Sequence, residues 1–100
     1  MDKNEAISKV KAYKRLLKKH FQLEKVYLFG SYANGTFRED SDIDVAVVVK
    51  HLDGDYFSDT PLLWKLRRQI DDRIEPIFIQ TDADDADFLG EVRKCGIEVE

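Results

Sequence analysis

The sequence predicts an α/β (α+β) chain in which helices flank a small mixed sheet. Three observations predict it. Stretches of helical period alternate with short apolar runs rich in Val, Ile and Phe. One run, Ile43–Val49, is apolar and β-branched almost throughout, the signature of a strand buried on both faces. Several connections are too short for full crossovers, so the sheet should be mixed rather than purely parallel.

The elements follow in the order αβαβαβαβ. Ala6, Ile7, Val10, Tyr13, Leu16, Leu17 and Phe21 recur at three- and four-residue intervals, predicting an amphipathic helix that ends near His20. Lys9, Lys11, Lys14, Lys18 and Lys19 fall mostly on its other faces. Val26–Phe29 reads as a short strand ended by Gly30, with Ser31 as N-cap of a short helix over Tyr32–Gly35. A polar connection, Thr36–Ser41, leads into the strand Ile43–Val49, and a polar loop, His51–Asp59, follows. Thr60-Pro61 is a cap followed by proline in the first helical position, and Leu62, Leu63, Leu66 and Ile70 mark the helix it opens. Ile74–Gln80 is the next strand. Thr81 is expected to open a last helix reaching Lys94, with Phe88, Leu89 and Val92 buried and Gly96 as its cap. Ile97–Glu100 is a short extended tail.

One hundred residues, 43% hydrophobic and 36% charged, suit one globular domain spanning 1–100. A net charge of −4 excludes a general nucleic-acid binder, and no direct DNA binding is expected. The charge is uneven: eight of the sixteen Lys and Arg lie between Lys3 and Lys25, and five of the twenty acids between Asp82 and Glu91. Cys95 is the one cysteine and cannot form an internal disulfide, which fits a reducing cytoplasm. The opening MDKNEAISKVKAYKRLLKKH is too charged for a signal peptide, and no run approaches the ~18 apolar residues of a membrane span.

Chemistry concentrates in LFGSYANGTFREDSDIDVAVVV, Leu28 to Val49. Asp42 and Asp44 stand two apart where a very apolar strand begins. Side chains alternate along a strand, so the two share a face with Cα atoms roughly 6.5–7 Å apart. Carboxylates at that spacing converge on one cation or bridge two, and hard oxygen ligands beside a phosphate are what Mg²⁺ uses. Ile43 points the other way, into the core, and Ser41 can fix the start of the strand by a local hydrogen bond. Upstream, Gly30-Ser31 joins a strand to a helix. Free N–H groups there suit an anion, the glycine allows close approach, and the Ser31 hydroxyl adds a donor. An anion site facing a cation site suits a nucleoside triphosphate with its magnesium. Glu75, in RIEPIFI at the start of the next apolar strand, is the candidate third carboxylate if that strand lies beside Ile43–Val49. Pro76 after it favours an edge strand.

These residues carry a resemblance. GSYANGTFREDSDIDVAVVV resembles the GSxAxG…SDxD signature of the polymerase-beta-type nucleotidyltransferase superfamily, and is most similar to its minimal nucleotidyltransferases, the MNT group. FLGEVRKCGIEVE is similar to that group's usual ending, so the resemblance covers nearly the whole chain. It implies a polymerase-beta-like fold, with Gly30 and Ser31 holding the triphosphate of ATP. Asp42, Asp44 and Glu75 would be the catalytic, metal-holding acids, with two Mg²⁺ ions. Glu75 stands where many members carry Asp, and Asn34 where the group often carries Arg. The implied activity is transfer of AMP from ATP to a hydroxyl. The implied partner is a HEPN-domain toxin, modified on a tyrosine and silenced, with this chain as the antitoxin in a hetero-oligomer.

Other readings stand beside these. Asp42 and Asp44 have a lesser reading as a strand cap ion-paired to Arg38 or Lys25, and Glu75 as a partner of Arg73 or Arg67. The lysines of the first helix form either a solvated face or a docking surface for an acidic partner or an RNA end. HLDGDYFSD lacks the spacing of a calcium loop, and Trp64 and Tyr56 are expected to pack rather than stack on a base. Tyr27 reads as structural and Cys95 as inert. The alternatives in function are a non-catalytic antitoxin that neutralises its partner by contact, and a catalytic subunit acting on a small molecule or an RNA end.

Overall fold

The computed structural model describes residues 1–50, 56–83 and 87–100, with side chains left out for 56–58. The elements run α1 (Lys3–Leu17), β1 (Lys25–Phe29), α2 (Ser31–Asn34), β2 (Ile43–Val49), α3 (Tyr56–Arg67), β3 (Ile74–Gln80), α4 (Phe88–Cys95) and β4 (Ile97–Glu98). The strands form one sheet in the order β3-β2-β1-β4. β1 is antiparallel to both β2 and β4, and β2 is parallel to β3, so the sheet is mixed as expected.

The alternation of β2 divides the core in two. Ile43, Val45, Val47 and Val49 pack against Ala6, Val10, Tyr13 and Leu17 of α1 and Leu63 and Leu66 of α3. Ala46 and Val48 point the other way, into a smaller cluster with Tyr27, Ile79, Leu89 and Val92 under α4. Tyr27 is therefore structural, as the sequence suggests. The Tyr13 hydroxyl donates to the Leu63 carbonyl at 2.6 Å and ties α1 to α3. Burial pushes that phenol's pKa well above its ordinary value.

Helix bounds depart from expectation at the end of α1 and the starts of α3 and α4. α1 is capped by Asp2, whose carboxylate accepts from the Glu5 N–H at 2.8 Å. Its last turn closes at Leu17, with only turns through His20. α3 begins at Tyr56 rather than at Thr60-Pro61, so Pro61 lies inside the helix. Pro61 withholds an N–H from the turn before it, and burial of Leu63 and Leu66 against the sheet keeps the helix intact. Of the polar loop expected over His51–Asp59, residues 51–55 lie outside the described residues, as do the side chain of Tyr56 and part of HLDGDYFSD. α4 starts at Phe88, not Thr81. Four aspartates between Asp82 and Asp87 are poor helix residues, and Asp87 itself is left-handed at φ 51°.

β3 is an edge strand. Ile43 N–H donates to the Arg73 carbonyl at 2.8 Å, and Thr81 N–H to the Val49 carbonyl at 2.9 Å. Odd positions of β3 thus aim their donors at β2, and Pro76 occupies an outward position where no ladder bond is lost. On the other side of the sheet's centre, against β1, Gly96 caps α4 with extended backbone. A Cβ there would meet the carbonyls of Val92 at 2.6 Å and Leu28 at 3.0 Å.

Candidate functional site

Register decides what meets at the site. Asp44 pairs with Phe29 on one side and with Glu75 on the other. Directly paired residues share a face, so Asp44 and Glu75 stand side by side, and Asp42 lies two residues upstream on the same face. The parallel neighbour that Glu75 needed is thus present. Ser41 does fix the approach: its Oγ accepts from the Arg38 N–H at 2.7 Å, and its own N–H donates to the Arg38 carbonyl at 3.1 Å.

Gly30 meets the carboxylates from β1. Its φ of 70° and ψ of −148° belong to a region that is nearly glycine-only. A Cβ at this position would lie 2.1 Å from Asp44 Oδ2 and 3.0 Å from its Cγ. The sequence suggested a glycine kept bare for a phosphate; in the structure the space beside it holds the Asp44 carboxylate. Gly30 is also the N-cap of α2, so Ser31 is the first helical residue and not the cap. Asn34, where the resembled group often has Arg, turns its side-chain oxygen to the Thr36 N–H at 3.1 Å and the Thr36 hydroxyl at 2.6 Å.

The electrostatics of the trio are repulsive. Burial, then the charge of Asp42, raises the Asp44 pKa. Burial again leads for Glu75, followed by the charges of Asp42 and Asp44 and a hydrogen bond with Asp42; Arg67 opposes them. Asp44 is half-buried, whereas Asp42 and Glu75 are exposed. Among the described residues no three His, Cys, Asp or Glu side chains close into a finished metal cage. Asp42 nevertheless stands close enough for its charge to help raise the proton affinity of Asp44 and Glu75. An all-oxygen set with unrelieved negative charge fits a hard divalent cation.

Of the four cations that the structural alternatives offer these acids, Lys25, Arg73 and Arg67 are engaged elsewhere. Lys25 pairs with Glu98 at 2.7 Å, and Arg73 with Asp71 at 2.8 Å. Arg67 donates through one terminal nitrogen to the carbonyls of Asp72 and Ile74, the latter at 3.0 Å. Its guanidinium lies 4.6 Å from the Trp64 ring centroid. Trp64 is therefore neither core nor bare: it is 36% exposed, with an arginine over its face. Beside Gly30 a groove opens that sequence reading did not anticipate. It is walled by Phe29, Phe88 and Val92, and Asn34, Glu91 and Cys95 also line it. Phe29 and Phe88 meet edge to face at 5.9 Å. Cys95 is exposed.

A mixed four-stranded sheet with a Gly-Ser turn at the end of one strand and paired aspartates at the start of its neighbour defines a nucleotidyltransferase. The chain belongs to the polymerase beta nucleotidyltransferase family, whose model matches residues 11–99. Two relatives come from Methanocaldococcus jannaschii, both candidate protein adenylyltransferases. MJ0604 is 42% identical over 60 residues, 56% of this chain and 59% of that protein. MJ0141 is 52% identical over 31 residues, 31% of each. The matches therefore span less than two thirds of these relatives' own lengths. Among solved structures, a candidate nucleotidyltransferase from Sulfolobus solfataricus superposes with a TM-score of 0.71 at 22% identity, covering 96% of this chain and 80% of that one. A toxin–antitoxin structure with AMP-PNP gives 0.67 at 27% identity, covering 92% and 72%. No helix among the described residues is long and apolar enough to cross a membrane.

Proposed function

We propose that this chain transfers AMP from ATP to a tyrosine hydroxyl of a HEPN-type toxin and so acts as its antitoxin. One observation carries the reading: the Asp44 carboxylate is wedged between the Gly30 turn and Glu75, with Asp42 on the same face. Anion-binding and cation-binding groups are thereby set against each other. Relatives that are candidate protein adenylyltransferases, and likeness to a toxin–antitoxin structure with AMP-PNP, support the choice of nucleotide and partner.

On this reading the roles divide between the Gly30 turn and the carboxylates. Gly30 and Ser31 bind the triphosphate through backbone N–H groups and the Ser31 hydroxyl. Asp42, Asp44 and Glu75 are the residues to hold Mg²⁺, which, when bound, neutralises charge on the phosphates. The acceptor oxygen bonds to the α-phosphorus as the bond to the pyrophosphate oxygen breaks. Its proton passes to a carboxylate, and on this reading Glu75 or Asp44 takes it.

The test incubates the cognate helical toxin with this protein, ATP and Mg²⁺. The toxin should gain the mass of one or more AMP units and lose activity. Both effects should vanish with Asp42→Asn/Asp44→Asn. Full inhibition by the doubly substituted protein, with no change in toxin mass, would make contact alone the mechanism.

A further inference from the structure

Five hydrogen bonds converge on one residue outside the trio. Asp71 lies in the turn between α3 and β3. Its Oδ2 accepts from Lys9 Nζ of α1 at 2.5 Å and from an Arg73 terminal nitrogen at 2.8 Å. Its Oδ1 accepts from Arg73 Nε at 3.1 Å and from the Arg73 backbone N–H at 2.8 Å. Its carbonyl accepts from the Ile74 N–H at 3.2 Å. The Asp71 side chain is only 10% exposed. These bonds, Arg73's above all, hold its carboxyl well below the usual range.

Arg73 is what gives the cluster a functional consequence. Its carbonyl accepts the Ile43 N–H, which makes the first rung of the β2–β3 ladder. Ile43 sits between Asp42 and Asp44, and Glu75 is two residues beyond Arg73. That one rung therefore ties together both strands that bear the carboxylates. We propose that Asp71 is a positioning residue for the carboxylate trio: by clamping Arg73 it locks the rung that sets Asp44 beside Glu75. The inference rests on the reading of the trio as a metal–nucleotide site. Two cations share Asp71 Oδ2, so without that carboxylate Lys9 and Arg73 repel each other and the Arg73 turn moves off its rung. The distance along the chain from Lys9 to Asp71 also makes this a long-range tie, from α1 to the mouth of the site.

The experiment compares Asp71→Ala and Asp71→Asn with Lys9→Met, by amide hydrogen exchange and by titration with Mg²⁺ alone. In both Asp71 variants the Ile43 amide should exchange faster by about tenfold or more, while Val47, further along the same strand, changes far less. The half-saturating Mg²⁺ concentration should rise about 10–100-fold, the range seen when groups that orient metal ligands are lost. Lys9→Met removes one cation and leaves Arg73 bonded, so both readings should stay within about twofold of wild type. Adding Lys9→Met to Asp71→Asn should recover part of the Mg²⁺ affinity by removing the repulsion. Equal acceleration at Ile43 and Val47 with an unchanged Mg²⁺ midpoint would overturn the proposal and leave Asp71 a brace of general stability. If the wild type binds no Mg²⁺, the metal–nucleotide reading fails, and the Ile43-to-Val47 comparison alone judges the clamp.

Discussion

Gly30→Ala tests the wedge directly. Two costs are separable. The first is backbone: a non-glycine residue held at φ 70°, ψ −148° costs roughly 1–3 kcal/mol, and the upper half applies because this region is nearly glycine-only. The second is contact. The new Cβ would stand 2.1 Å from Asp44 Oδ2. Rotating the carboxylate clears that oxygen, but Asp44 Cγ at 3.0 Å and Cβ at 3.3 Å stay tight. Forcing Asp44 off its rotamer adds about 1 kcal/mol. The sum is about 3–4 kcal/mol, which for a chain of this length lowers Tm by about 12–32 °C. The assay is thermal melting in EDTA of wild type, Gly30→Ala, Asp44→Ala and the double variant. With Asp44 truncated the contact cost disappears and the backbone cost remains, so the cycle should return a coupling near ~1 kcal/mol. A loss below about 4 °C in the single variant would refute the backbone argument. An equal loss in both backgrounds would refute the wedge.

Asp44→Asn should leave the metal-free protein as stable as wild type or more so, because it relieves repulsion with Asp42 and Glu75, while abolishing AMP transfer; melting beside an activity assay reads both. ATP affinity measured calorimetrically should collapse in EDTA, and equal affinity with and without Mg²⁺ would remove the trio from nucleotide binding. Metal-free stability should rise as pH falls from neutrality towards about 5, since Asp44 and Glu75 have raised pKa values and the native state binds their protons more tightly than the unfolded chain does. Below about 4 the trend should reverse, because Asp71 is depressed and its stabilisation is lost as the unfolded chain takes up the proton first. Saturating Mg²⁺ should flatten the first limb in chemical denaturation, and an unchanged slope would sink the argument. Tyr13→Phe should cost about 1 kcal/mol by removing the bond to the Leu63 carbonyl, read as a Tm fall of about 4–8 °C.

Strands were more legible than helix starts. Ile43–Val49 and Ile74–Gln80 have the ends that the apolar runs suggest, because a strand buried on both faces must stay apolar along its length. Thr60-Pro61 misled because a local capping signal competes with packing: Leu63 and Leu66 hold the helix against the sheet whatever precedes them. Within the candidate site, the shared face of Asp42 and Asp44 follows from spacing alone. The place of Glu75 needed a parallel neighbour that spacing cannot supply, although Pro76 did point to the edge. The contact of Gly30 with Asp44 and the bonds from Lys9 and Arg73 to Asp71 were hidden, because each joins segments whose approach is decided only by the assembled sheet. The aromatic groove beside Gly30 was hidden for the same reason, since Phe29 and Phe88 meet from opposite ends of the chain.

Pro76 bears on how this molecule behaves in a crowd. A free sheet border with unspent donors is a template onto which another chain can add, and stacking of that kind is how soluble proteins turn into fibres. β3 is rich in isoleucine and phenylalanine, the composition that such stacking favours. Its outward donor at position 76 is missing, so an incoming strand loses a bond near the start of the run, two residues after Ile74. Exposed Glu75 alongside adds a charge that an apolar newcomer would have to strip of water. The border next to the carboxylates is thereby a poor template for self-templated growth.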